Sequence, residues 1–105
     1  DLPWVEHALS EDSEELYSPR APRDVVAQNI QNNLRYAEEH IKVYGDGNNT
    51  INRAVKQSLI SRFCLFEGTW RKYHALQKAT TYLEECTLAS NEVMNKYTTL
   101  HPNYE

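Results

Sequence analysis

A chain of 105 residues with 15 Asp and Glu against 11 Lys and Arg, net charge -4, is one domain of ordinary size. Its 40% hydrophobic content, three Gly and four Pro describe a globular composition and exclude collagen-like or Gly/Ser-linker character. No apolar run approaches the roughly 18 residues of a membrane span, and two Cys are too few for a disulfide-rich scaffold or a zinc site built from cysteines alone.

The chain starts at Asp1, the mark expected of a processed or excised chain, and Asp1-Leu2-Pro3-Trp4 lacks the basic start and apolar stretch of a signal peptide. Residues 1–24 form an expected leader. Pro3 suits the first turn of a short helix through about Leu9, with Trp4 as its anchor. Ser10-Glu11-Asp12-Ser13-Glu14-Glu15 is acidic and polar, and Pro19 and Pro22 favour an extended connector. Ser18-Pro19-Arg20 resembles a proline-directed phosphorylation site, which makes Ser18 a candidate for modification.

The first helix is predicted from near Pro22 for roughly 22 residues. Val26, Ile30, Leu34, Ala37, Ile41 and Tyr44 recur every three or four positions as a single apolar stripe. Gly45-Asp46-Gly47-Asn48-Asn49 then reads as a helix exit and turn. Asn48-Asn49-Thr50 is a glycosylation sequon that matters only in a secreted chain.

A second helix is expected to start at Asn49 or Thr50 as cap, with Ile51, Val55, Leu59, Phe63, Phe66 and Trp70 facing inward. The same stripe runs on through Tyr73, Leu76, Ala79 or Thr80, Leu83 and Cys86. Gly68 interrupts it, and two readings stand. One is a single long or kinked helix, favoured because the stripe passes the glycine nearly in phase; the other is two helices joined at Gly68-Thr69. A last helix is predicted from Asn91 to about Leu100 with Ser90 as cap, stopped by Pro102. No strand alternation and no repeat is visible. The expected fold is therefore all-α, a three- to four-helix antiparallel bundle over residues 25–101, with the acidic, proline-containing leader over 1–24 and a tail over 102–105.

Charge is unevenly laid out. Residues 1–50 carry net -6, residues 51–80 net +5 and residues 81–105 net -3. The central helix is thus a cationic rod in an acidic protein. On a continuous helix at about 100° per residue, Arg53, Lys56, Arg71 and Lys78 fall in one arc of about 60°, away from the apolar stripe, with Arg62 and Lys72 outside it. That arc is expected to be a solvated face or a docking face for an acidic partner or phosphates.

Chemical constellations fail one by one. His7, His40, His74 and His101 form no i, i+4 pair and no His-Glu-x-x-His. Asp46 opens a calcium-loop pattern that breaks at Ile51 and Gln57, where Gly and Glu are required. No Gly-Lys-Ser/Thr phosphate loop exists. Cys64 has no adjacent base. No catalytic set, metal site or cofactor motif emerges, so the chain is read as a non-enzyme.

The leading functional expectation is a non-catalytic helical protein–protein interaction module, or a subunit or domain of a larger assembly. Arg53, Lys56, Arg71, Lys78, Trp70 and Trp4 are its candidate contacts, and its partner is another protein chain or a second copy. A second reading is a domain binding nucleic acid or an anionic surface through residues 51–80. A third is a secreted helical ligand bridged by Cys64 and Cys86. The compartment stays open, with a lean towards intracellular.

Overall fold

A computed structural model of the chain describes residues 2–44, 50–100 and 102. The turn over residues 45–49, with its sequon Asn48 and the cap Asn49, lies outside these, as do His101 and the tail beyond Pro102. The described residues hold three α-helices, α1 Arg23–His40, α2 Arg53–Tyr73 and α3 Ala79–Lys96, one 3-10 turn at Glu14–Tyr17, and no strand. The protein is all-α. It falls into two compact units, residues 1–33 and 34–105, with the boundary inside α1.

In the first unit no helix forms over Pro3–Leu9, contrary to the reading from Pro3. Seven residues cannot repay the cost of helix nucleation in isolation. Local hydrogen bonds shape the segment instead. Ala21 N donates to Leu2 O at 3.2 Å, which folds the leader back on itself. Ser13 Oγ accepts from Ser10 N at 2.9 Å and leads into the 3-10 turn. Ser18 closes that turn through its N–H to Glu15 O and is exposed. Trp4 is half-buried, and its Nε1 donates to Glu6 Oε1 at 3.0 Å. Pro22 O accepts from both Val25 N and Val26 N, so α1 begins at the proline as read. The helix stops at His40, short of the exposed Tyr44.

In the second unit the last turns of α1 meet a hairpin of α2 and α3. Asn52 caps α2, its side-chain oxygen accepting from Ala54 N and Val55 N at 3.0 and 3.1 Å. The cap is thus Asn52, and the helix starts later than read. α2 passes through Gly68 unbroken and ends at Tyr73. The passage through Gly68 agrees with the favoured reading and not with the alternative break at Gly68-Thr69, whereas the continuation to Cys86 is absent. The reversal lies at residues 74–78. Ala75 N donates to Lys72 O and Leu76 N to Arg71 O, with Ala75 at φ 53°, the paired bonds of a Schellman cap with alanine where glycine is usual. Lys78 follows at φ 64° and starts α3.

α3 then runs back along α2: Phe63 meets Tyr82 edge-on at 6.2 Å, Ser61 Oγ lies 2.6 Å from Ser90 Oγ, and Arg53 Nε lies 2.8 Å from Glu92 Oε1. Ser90 is thus in mid-helix, bonding back to Cys86 O, and caps nothing. The helix predicted from Asn91 is the end of α3. At the crossing, a Cβ on Gly68 would stand 2.8 Å from Leu83 Cγ and 3.2 Å from Ala79 O. The glycine that reads as a helix interruption is a contact point between helices.

Candidate interaction surface

The side chains of α2 point opposite to the sequence reading. The buried residues are Gln57, Ile60, Cys64, Glu67 and Arg71 at spacings of 3, 4, 3 and 4, joined by Lys56. The exposed ones are Val55, Leu59, Phe66, Trp70 and Tyr73, with Phe66 62% and Tyr73 84% accessible. Most of the apolar stripe expected in the core faces solvent, Phe63 excepted, which is half-buried against Tyr82, and the inward side mixes Lys56, Gln57, Glu67 and Arg71 with Ala54, Ile60, Cys64 and Gly68. Ile51, also expected inside, is exposed and precedes the helix.

Charge explains the inversion. Lys56 and Arg71 of the arc are buried against carboxylates, Glu38 on α1 and Glu67 on α2 itself, and the half-exposed Arg53 meets Glu92. This corrects the expectation of a solvated or docking basic face. Lys56, 3% exposed, places its Nζ 2.9 Å from Glu38 Oε1 on α1. The approach suits Coulombic attraction more than an aligned hydrogen bond. Gln57 Nε2 donates to Glu38 at 3.0 Å and also to Glu92. Arg35 reaches Glu85 at 3.5 Å. At the other end of the hairpin Arg71, 3% exposed, donates through Nε to Glu67 Oε1 at 2.8 Å and through Nη1 to Gln77 O at 3.0 Å, and its guanidinium lies 5.0 Å over the Tyr82 ring. Lys78 lies outside α2, exposed in the reversal. Of the four cations in the arc, two are buried structural partners.

The Lys56 ammonium holds the Glu38 carboxyl below its ordinary 4.5, with Gln57 and Arg53 acting the same way against partial desolvation. A carboxyl with a lowered folded pKa contributes stability that is present above its unfolded value and lost as pH falls through the folded one. Urea melts at neutral pH and at about pH 3 should therefore show the stability gap between the native chain and Glu38→Gln shrinking in acid. A gap independent of pH would contradict the assignment.

Cys64 and Cys86 are both free thiols. Cys64 is 0% exposed, and burial pushes its thiol up to about 12, so no nucleophilic thiolate forms there near neutral pH. His40 and His74 place their Nδ1 atoms 2.7 and 2.8 Å from the carbonyls of Tyr36 and Trp70, one turn earlier on their own helices. Among the described residues no group of three His, Cys, Asp or Glu is placed to hold a metal ion, and no helix is long and apolar enough to cross a membrane.

The exposed side of α2 carries a groove of about 590 Å³ lined by Arg62, Leu65, Phe66, Trp70, Tyr73 and His74, with Trp70 and His74 stacked at 3.9 Å. A second cleft, of about 420 Å³, lies where α1 meets the hairpin and is mainly acidic, with Glu38, Glu84, Glu85 and Glu92 on its walls. The candidate contacts therefore separate. Trp70 lines the groove, Arg53 is engaged by Glu92, Lys56 and Arg71 are interior, and Trp4 belongs to the first unit. Arg62, Leu65 and Tyr73 stood outside the candidate contacts read from the sequence; the four residues from Arg62 to Phe66 and the three from Trp70 to Tyr73 were the available signal for two of them. No family model, no curated protein and no solved structure matches this chain.

Proposed function

We propose that the chain is a non-catalytic helical interaction module, and that the outward face of α2 is its docking surface. The observation that carries this reading is the inverted helix. A helix of a self-sufficient domain buries its largest apolar side chains, whereas α2 buries Gln57, Lys56, Glu67 and Arg71 beside Ala54, Ile60 and Cys64, and exposes Leu59, Phe66 and Tyr73. Contiguous apolar surface of this kind marks a contact with another molecule. Aromatic residues at its centre are the side chains that dominate interface energetics. The raised Cys64 thiol adds support, since it offers no ready nucleophile.

Nucleic-acid binding is the second reading, because Phe66, Trp70 and Tyr73 are accessible for stacking beside Arg62 and Lys72. It is weakened by Val55, Leu59 and Leu65 in the same stripe, which offer no ring to a base, and by the withdrawal of Lys56 and Arg71 from solvent.

The double variant Leu59→Ser/Phe66→Ser tests the docking surface. Substitutions on a surface face leave folding stability within about 0.5 kcal/mol each, whereas the same changes in a core cost about 3–5 kcal/mol for the aromatic alone. The expected result is an unchanged urea midpoint with a fall in binding of a hydrophobic reporter dye. A collapse of stability would place the stripe in the folded core and end the proposal.

A further inference from the structure

Resting on that reading, we infer that the partner presents an acidic amphipathic helix, seated lengthwise on α2 with its carboxylates against Arg62 and Lys72. The argument is one of charge and shape together. Glu67 is the only acidic residue of α2, and it is buried against Arg71. Lys56 is held by Glu38, and Arg53 is engaged by Glu92 at the start of the helix. Past the first turn of α2 the exposed charges are Arg62, which lines the groove, and Lys72, which lies outside its lining, both positive.

On a helical projection of about 100° per residue, Arg62 and Lys72 fall to the same side of the Phe66–Trp70 line as Leu65 and Thr69. The groove thus has an apolar floor with Arg62 in its wall, and Lys72 lies further round the same side of the helix. Their separation of ten positions corresponds to about 15 Å of helix, so the matching carboxylates of a partner helix lie about three turns apart. The stripe from Val55 to Tyr73 is about 27 Å long, room for a partner helix of about five turns.

The same features disfavour a second copy of this chain as occupant. Two α2 faces laid together would bring Arg62 and Lys72 into the contact from both sides with no exposed carboxylate of α2 to answer them. Opposite charges across a rim steer encounter and fix register, and like charges suppress the wrong pairing. The apolar floor supplies the affinity and the two cations the choice of partner.

The probe is a synthetic helical peptide of about 18 residues with leucines at i, i+3 and i+4 positions and glutamates on one flank. Its twin carries lysine for each glutamate. Both are titrated into the full chain bearing Trp4→Phe, so that Trp70 is the sole indole and reports on the groove through its emission. The expected result is a blue shift with the acidic peptide and binding about tenfold weaker for the lysine twin. Arg62→Glu/Lys72→Glu should reverse that preference, and added salt should narrow it.

Equal affinity for the two peptides overturns the inference. So does preference for a mixed-sequence oligonucleotide over the acidic peptide, or self-association in light scattering with no peptide binding. In the first and last of these cases the docking face itself survives, since that stands or falls on the Leu59→Ser/Phe66→Ser result.

Discussion

Glu67→Ala should be the most damaging single substitution in the hairpin. Its expected cost is about 3–5 kcal/mol, the range for breaking a buried ion pair by removing one partner. Both side chains of the Glu67–Arg71 pair are 3% exposed, so water cannot replace the lost carboxylate. The guanidinium keeps its bond to Gln77 O and its place over Tyr82, which hold its position without neutralising its charge. A domain of this size has roughly 5–15 kcal/mol to lose, so the variant should be partly unfolded well below the native melting temperature.

The paired replacement Glu67→Leu/Arg71→Met separates charge from packing. Removing both members leaves no unpaired charge at that site, and such exchanges are often neutral or stabilising by about 1–4 kcal/mol. Urea unfolding of the three proteins checks both expectations. A loss of under about 1 kcal/mol for Glu67→Ala would mean the pair is hydrated in solution.

Gly68→Val is expected to cost about 3 kcal/mol, at the upper end of overpacking in a close contact. The overlap is with Leu83 Cγ at 2.8 Å and Cδ2 at 2.9 Å, and behind them stands the Ala79 carbonyl at 3.2 Å. Leu83 Cγ sits near its own backbone, so a simple rotation does not clear the space. Gly68→Ala is the finer probe. Alanine gains about 1 kcal/mol of helix propensity, and the clash opposes it, so the sign of the change reports which effect is larger. A net loss is expected. In a Leu83→Ala background the loss should shrink or turn into a gain, and this coupling is measurable by a double-mutant cycle. A stabilising Gly68→Ala in the native background would show that α2 and α3 do not meet this closely.

Both results bear on function, because they concern the side of α2 that grips its neighbours. The pairs Lys56–Glu38 and Arg53–Glu92 tie one side of α2 to its neighbours, while Arg71–Glu67 is a pair within the helix. A helix tied along one side turns its opposite side outward. The docking face is thus a consequence of where the carboxylates lie.

The sequence by itself determined the helical class, the start of α1 at Pro22, and the helical periodicity of residues 55–73. Spacing of three and four is a local property, written in side-chain order alone. It also determined the uneven charge, since -6, +5 and -3 along the chain are sums over composition.

Only the tertiary structure decided which way α2 faces. Two stripes share that helix, Val55-Leu59-Phe66-Trp70-Tyr73 and Gln57-Ile60-Cys64-Glu67-Arg71, and both have the right period. Hydropathy alone sends the first one inside. The outcome turns on Glu38 and Glu92, 18 and 36 residues from Lys56, whose positions no local pattern reveals. The reversal at Ala75 was hidden for a related reason. A helix exit usually announces itself with glycine, and here alanine adopts the left-handed conformation, which costs roughly 1–2 kcal/mol locally. The packing of Tyr82 and Gly68 across the hairpin holds it there. Local preference lost to long-range contact at both places, because a preference of about 1 kcal/mol is smaller than the burial and pairing that only the folded chain brings together.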